Sequence, residues 1–434
     1  MRLEFEVPED VLHRLLDPVE LPLMVPVTYE MRTPPPIDDV AGAVHAQLAR
    51  PEIAATIGRG HRVAVGVGSR GIGRLAEIVA AFIAGLKDLG AQPFIIPTMG
   101  SHGGATAAGQ RAILAHLGIT EQSMGVPVVS DMTTVEVGRA PDGTAVRLDS
   151  NALGADAIVF VARLKPHTAF HGTYESGLAK MVAIGLGKQE GAAACHAQGF
   201  GEMARVVPAL AAVALAHAPI RFGLAVLENA HDLPFKIEAV PAGRILADEP
   251  ALLEEARAAM PSIPFGALDI LVIDEIGKNI SGDGADPNIT GRYPTPFATG
   301  GPAVNKMVVL DLTTASGGNA NGVGMFDYTT IHLARKMDLA QTYPNPLTST
   351  VARSVALPLV LPSDRLAFAA AVLTCNAVGR PVRVLRISNT LRLGSFAVSE
   401  GLLGDVTAHP DLRAAGPTAP LLFDDDGNLR DLRR

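Results

Sequence analysis

Tryptophan is absent from this 434-residue chain, aromatic residues make up only 4% of it, and cysteine occurs twice. A core so poor in rings must be built from Ala, Val, Leu and Ile, which agrees with a hydrophobic content of 48%. Cys195 and Cys375 lie far apart, so no disulfide framework is expected and both read as reduced thiols. There is no long basic run and the formal net charge is −8, which argues against a nucleic-acid partner. The opening "MRLEFEVPED" carries charges but no apolar h-region, so no secretory signal is expected and the expected location is cytoplasmic. The most apolar windows, "VVPALAAVALAHAPI" and "LAFAAAVLTCNAV", fall short of the roughly 20 residues of a membrane span, so no membrane partner is expected. No repeat of 20–50 residues is visible either, which argues against a solenoid.

Glycine, by contrast, is abundant: 44 residues, gathered into short polar runs that read as candidate site loops. Short Val/Ile-rich runs alternate with longer Ala/Leu-rich helical patterns, the rhythm of an α/β protein with mostly parallel sheets. Strands are expected at "HRVAVGV", "QPFIIPT", "DAIVFVA", "RFGLAVLE", "LDILVID" and "KMVVLDLT". Helices are expected at "IGRLAEIVAAFIAGLKDLG", "TAAGQRAILAHLG" and "ADEPALLEEARAAM". A chain of this length is expected to form two domains. The Pro-rich "MPSIPFGALD" reads as the junction, giving an N-terminal α/β domain over 1–265 and a C-terminal α/β domain over 266–392. Residues 393–434 read as a tail returning to the N-terminal domain, with a D-G turn signal near its end, and the active site is expected in the cleft between the domains.

The segments just after the strands are more telling. "HRVAVGV" runs into "GSRGIG", "QPFIIPT" into "MGSHGG", and "DAIVFVA" into "RLKPHTAFHG"; "LDILVID" runs into "EIGKNISGDGADPN" and "KMVVLDLT" into "TASGGNANG". Ligands of open α/β sheets bind beyond the carboxyl ends of the strands. Five such ends carry Gly-rich, polar or titratable loops, which points to a composite active site.

Each loop has its own chemistry. "GVGSRG" spells G-x-G-x-x-G, but the next strand offers no acidic residue for a ribose, so a tight strand–helix turn competes with a dinucleotide fingerprint. Arg70 there suits bidentate binding of a substrate carboxylate, with Ser69 beside it. His102, between glycines and ahead of a helix, suits general acid/base work, although capping accounts for it equally simply. The third loop packs His167, His171, Glu175 and Lys180 into "KPHTAFHGTYESGLAK", with Lys188, Cys195 and His196 further on. These histidines match no H-x-x-x-H pair with a companion glutamate, which argues against a structural zinc site. Lys180, in an apolar run, is either a snorkelling side chain or one kept for covalent chemistry. Lys278 and Asn279 in "IGKNISG" suit hydrogen bonding to hydroxyl and carboxylate oxygens, while such Asn residues also form turns.

Taken together, "GSRG", "GSHGG", "KPH", "SGLAK" and "ACH" resemble the nickel-pincer-nucleotide-dependent lactate racemase family over most of the chain. The resemblance implies a racemase or epimerase of a 2-hydroxy acid or sugar acid. It implies a pyridinium bis-thiocarboxylic acid mononucleotide carrying nickel, covalently bound at Lys180 behind Ser176 and Gly177. It implies nickel ligation by His196, sixteen positions after the lysine as in the family. His102 and His167 are implied as acid/base residues, with His171 competing for the second role and the Pro-His pair favouring His167. Arg70 and Lys278 are implied as carboxylate partners, with Ser69 and Asn279 as further candidates. Val67 stands where the family pattern has an aspartate three residues before the arginine, which implies a racemase-like homologue rather than a lactate racemase. The other readings are an NAD-dependent 2-hydroxy acid dehydrogenase using "GVGSRG", and a small-molecule or cofactor-binding protein that has lost turnover. The expected partner is a small hydroxy acid; the sequence sets no oligomeric state.

Overall fold

A computed structural model describes residues 6–69 and 71–432. It is an α/β structure whose chain forms two units, Met1–Arg32 with Pro261–Arg434, and Thr33–Met260. Strand β1 (Met24–Tyr29) lies in the first of these units. The intervening unit then carries β2 (Arg62–Val67), β3 (Gln92–Pro97), β4 (Thr134–Arg139), β5 (Ala145–Asp149), β6 (Ala157–Leu164), β7 (Ile220–Glu228) and β8 (Pro234–Pro241).

Five of these strands form one sheet in the order β3-β2-β6-β7-β8. The first four are parallel, and β8 returns antiparallel to β7. Parallel strands covered on both faces need apolar residues on both, so they read as continuous runs instead of alternating. "AIVFVARL" in β6 is buried at every position except Arg163. Helix Leu75–Asp88 covers one face, burying Ile78, Val79, Phe82 and Leu86 in a core shared with Val63, Val65, Val159 and Phe222. The remaining pair, β4–β5, is a separate antiparallel ribbon.

The other unit continues with β9 (Ala267–Ile276), β10 (Ala303–Leu312), β11 (Tyr328–Thr330), β12 (Leu359–Leu361), β13 (Val384–Ile387), β14 (Ser395–Ser399) and β15 (Leu412–Ala414). Its eight-stranded sheet has the order β12-β11-β10-β9-β13-β14-β1-β15, parallel from β12 to β13 and antiparallel beyond.

The six expected strands and three expected helices are all present. The division of the chain differs from the sequence-based boundaries at both ends. Residues before Thr33 join the later sheet because β1 pairs with β14 and β15, and 393–434 stay in that same unit. The D-G signal does mark a tight turn, with Phe423 bridging Leu429 antiparallel. One apolar stretch, Phe200–His217, extends its window upstream and is by length and composition alone sufficient to cross a membrane. Its helical part, Met203–His217, buries Met203, Val206, Val207, Leu210, Ala211 and Ala214.

Candidate active site

Because β2, β3 and β6 run parallel and adjacent, the loops at their carboxyl ends leave the same edge of the sheet. Three of the sequence-marked segments are thereby brought to one place: Gly68–Ser69, Thr98–His102 and Lys165–Lys180.

The loop after β6 closes on itself. Lys165 and Ser176 exchange backbone hydrogen bonds at 3.0 and 3.3 Å, so the ten residues between them form a tied lobe. Inside it the Glu175 carboxylate is fully buried and accepts from His167 N at 2.6 Å, Gly172 N at 3.0 Å and Arg257 Nη2 at 2.8 Å. Tyr174 Oη donates to Leu246 O at 2.5 Å. Just beyond, Glu249 Oε2 accepts from Ala179 N at 2.6 Å. A Cβ on Gly177 would fall 2.3 Å from Glu249 Oε1, so a larger residue there would force the buried Glu249 carboxylate to shift. Leu246, Glu249 and Arg257 all belong to helix Ile245–Ala259, which therefore grips the lobe at three points. Lys180 ends a short helical turn and leads into a π-helical segment, Met181–Gly185, of the kind often found at functional sites.

Two phenylalanines join the titratable groups. His167 lies 4.4 Å from Phe170 between ring centroids and 5.9 Å from Phe200; His196 lies 5.6 Å from Phe200, and Lys180 Nζ is 5.9 Å from the Phe170 centroid. Burial pushes the His196 imidazole down to about 4, with the Lys180 charge adding to the effect, so the ring is neutral near pH 7. Its Nδ1 is buried without a hydrogen-bond partner. Burial also raises the Cys195 thiol to about 11 against an opposing pull from Lys180, and Cys195 Sγ lies 3.5 Å from Met203 Sδ; this is an inert packed thiol.

A neutral imidazole with an orphaned buried nitrogen has the chemistry to ligate a metal. Among the described residues no cluster of three or more His, Cys, Asp or Glu is placed to hold a metal. A metal at His196 would need donors beyond the His, Cys, Asp and Glu side chains of the described residues.

His102 is built differently. Its Nδ1 makes a short hydrogen bond with Ser69 Oγ from the neighbouring strand end. Gln110 Nε2 holds the loop by donating to Gly100 O at 2.8 Å and His102 O at 3.3 Å. Beneath it lies Lys188, fully buried, donating to Pro97 O at 2.6 Å and Gln110 Oε1 at 3.3 Å and paired with Asp149 at 2.8 Å. Gly100 N donates to Gly185 O at 3.3 Å, which ties this loop to the segment behind Lys180.

Lys278 and Asn279 belong to the other unit, where Lys278 Nζ donates to Gly282 O at 2.5 Å and Asn279 Oδ1 accepts from Thr313 Oγ1 at 2.6 Å. Arg70 falls outside the described residues. His171 is half-buried in the same lobe as His167. Sequence reasoning missed Glu249, Arg257, Gln110, Phe170 and Phe200. Glu249 did leave a trace: it interrupts the helical apolar stripe Ile245, Leu252, Leu253, Ala256, where a carboxylate is out of place unless it is bonded.

No protein-family model matches this chain, and no curated protein matches it in sequence. Among solved structures it is similar to the lactate racemase apoprotein from Thermoanaerobacterium thermosaccharolyticum. That likeness has 14% identity and a TM-score of 0.44 over 66% of this chain and 74% of that one.

Proposed function

We propose that this chain is a racemase or epimerase of a 2-hydroxy acid or sugar acid that works with a nickel-pincer nucleotide tethered at Lys180. The observation that supports the reading is that Lys180 and the neutral His196, with its orphaned Nδ1, both face the Phe170–Phe200 pair that also packs His167. Lys180 would hold the nucleotide, with Ser176 and Gly177 shaping its approach, and His196 would ligate the nickel. When bound, that group supplies a reversible hydride acceptor.

The remaining work falls to the chain's own groups. Phe170 and Phe200, 6.2 Å apart between ring centroids, would keep water from the face they share with His167, His196 and Lys180 and so strengthen polar contacts there. His102 and His167, from loops two strands apart in the sheet, handle the proton of the substrate hydroxyl. His167 is preferred to His171 because it packs against the Phe170 ring that also faces Lys180. Arg70, next to Ser69 in sequence, is proposed to bind the substrate carboxylate.

Intact-mass and metal analysis of protein purified from its native host tests this. The expected result is the nucleotide's mass on Lys180 with one nickel per chain, both lost in Lys180→Ala. Nickel-replete protein from a cofactor-making cell that carries neither would overturn the reading.

A further inference from the structure

Lys188 is a residue the proposed chemistry leaves unused, yet the fold goes to some length to keep it. Its backbone has a φ of +52°, in the left-handed region that favours glycine, and its charged side chain is fully buried. An ammonium has three hydrogens to donate, and this one has three partners: Pro97 O at 2.6 Å, the Asp149 carboxylate at 2.8 Å and Gln110 Oε1 at 3.3 Å. Each partner leads to a different part of the site. Pro97 ends β3, where the Thr98–His102 loop begins. Gln110, in helix Ala107–His116, is itself fully buried. Because an ammonium can only donate, it takes the Gln110 amide oxygen and turns the amide nitrogen to Gly100 O at 2.8 Å and His102 O at 3.3 Å. Asp149 Oδ1 caps helix Ser150–Leu153, and Asp149 N donates to Leu186 O at 2.8 Å, in the segment that follows Lys180. Lys188 itself opens helix Lys188–His196, whose last residue is the imidazole. One buried cation thus joins the start and the end of the His102 loop to the segments that carry Lys180 and His196.

We propose that Lys188 is a positioning residue, a buried post that fixes the His102 loop against the elements bearing Lys180 and His196. This rests on the racemase reading and deepens it. In that reading the hydroxyl proton goes to a histidine and the Cα hydride to the tethered group in one half-reaction, and both return in the next. The two acceptors must therefore be held in register, and a misplacement of about 1 Å costs on the order of 10²-fold in rate. The loop has little stiffness of its own, with Gly100, Gly103 and Gly104 at φ of +56°, +70° and +64°. Lys188 acts on it through Pro97 and Gln110.

Two variants separate the post from the fold. Lys188→Met with Asp149→Asn removes the cation without stranding its carboxylate, and asparagine still caps helix Ser150–Leu153. Gln110→Leu cuts the loop arm alone and leaves Lys188 on Asp149 and Pro97 O. In both, hydrogen exchange of the cofactor-free chain is expected to quicken at Gly100 and His102 while Ala179 and β6 keep their protection. The cofactor-loaded variants are expected to keep their nickel and KM and to lose about 10²-fold in kcat. Phe82→Leu, which loosens the core of the same unit, controls for lost stability and is expected to keep kcat. Variants that match Phe82→Leu in kcat and in exchange at Gly100 and His102 would reduce Lys188 to a core ion pair and overturn the inference. Quickened exchange with unchanged kcat would overturn it too, as would nickel lost together with kcat, since the post would then serve the His196 helix. A loaded wild-type chain without turnover would count against the racemase reading, while the exchange measurement would still decide whether Lys188 holds the loop.

Discussion

Glu249 is the residue where burial and function meet most directly. Burial raises its carboxyl from 4.5 to about 7, against the pull of the Ala179 and Leu178 amides, and its Oε1 is buried without a partner. Since the folded value lies above the unfolded one, the folded chain keeps a proton that the unfolded chain releases between pH 4.5 and about 7. Stability contributed by this group is complete below that window and is lost as pH rises through it, by on the order of 3 kcal/mol. Glu249→Gln mimics the protonated form and is expected to flatten the decline of Tm between pH 5 and 8. An unchanged slope would show that the carboxyl is ionised throughout. The same residue marks a limit of sequence reading. Lys180, His196 and His167 were marked through short motifs that resemble a known family, whereas Glu249 meets Ala179 across 70 positions and Lys188 meets Pro97 across 91. Contacts at that range leave only indirect signs, such as a glutamate in an apolar stripe.

At the scale of elements, helix Ile245–Ala259 is the strap that makes the β6 exit lobe rigid, and Arg257 is its outermost grip. Removing Arg257 takes the paired guanidinium from buried Glu175 and leaves its two backbone donors. Arg257→Met is expected to cost about 1–3 kcal/mol. Hydrogen exchange is expected to quicken at His167 and Gly172, while Ala179, held by Glu249, keeps its protection. Equal loss of protection at all three amides would mean that the lobe and the lysine turn open as one piece. The strap itself was readable as a helix, since its Ala/Leu pattern and acidic first turn are local properties. Several strands were not. Three-residue strands such as β11, β12 and β15 are too short to show a period, and β1 contains Pro26, which weakens any strand assignment.

At the scale of the whole molecule, the two units have separate cores: one around Phe82, Val159 and Phe222, the other around Ile270, Val308 and Phe368. The chain crosses between units at Met260, just before the Pro-rich stretch, and at Thr33, where a single short strand paired across hundreds of residues decides it and leaves no local sign. The tail is fastened to the second core by charge. Arg386 donates to Asp274 at 2.8 and 3.1 Å and to Asp431 at 2.8 and 3.1 Å, and Asp364 accepts from Leu429 N at 2.8 Å. Burial lifts Asp274 to about 6 even though Arg386 opposes the shift. Arg386→Met takes away the cation that pairs with Asp274, and an unpaired buried charge typically costs about 3–5 kcal/mol. Protonation relieves that cost, so the loss is expected to be largest at pH 8 and to shrink towards pH 5. Hydrogen exchange should then quicken in β9 and β13 while β2, β6 and β7 keep their protection, as separate cores require. Parallel weakening of both sheets would instead mean that the two units unfold as one cooperative body.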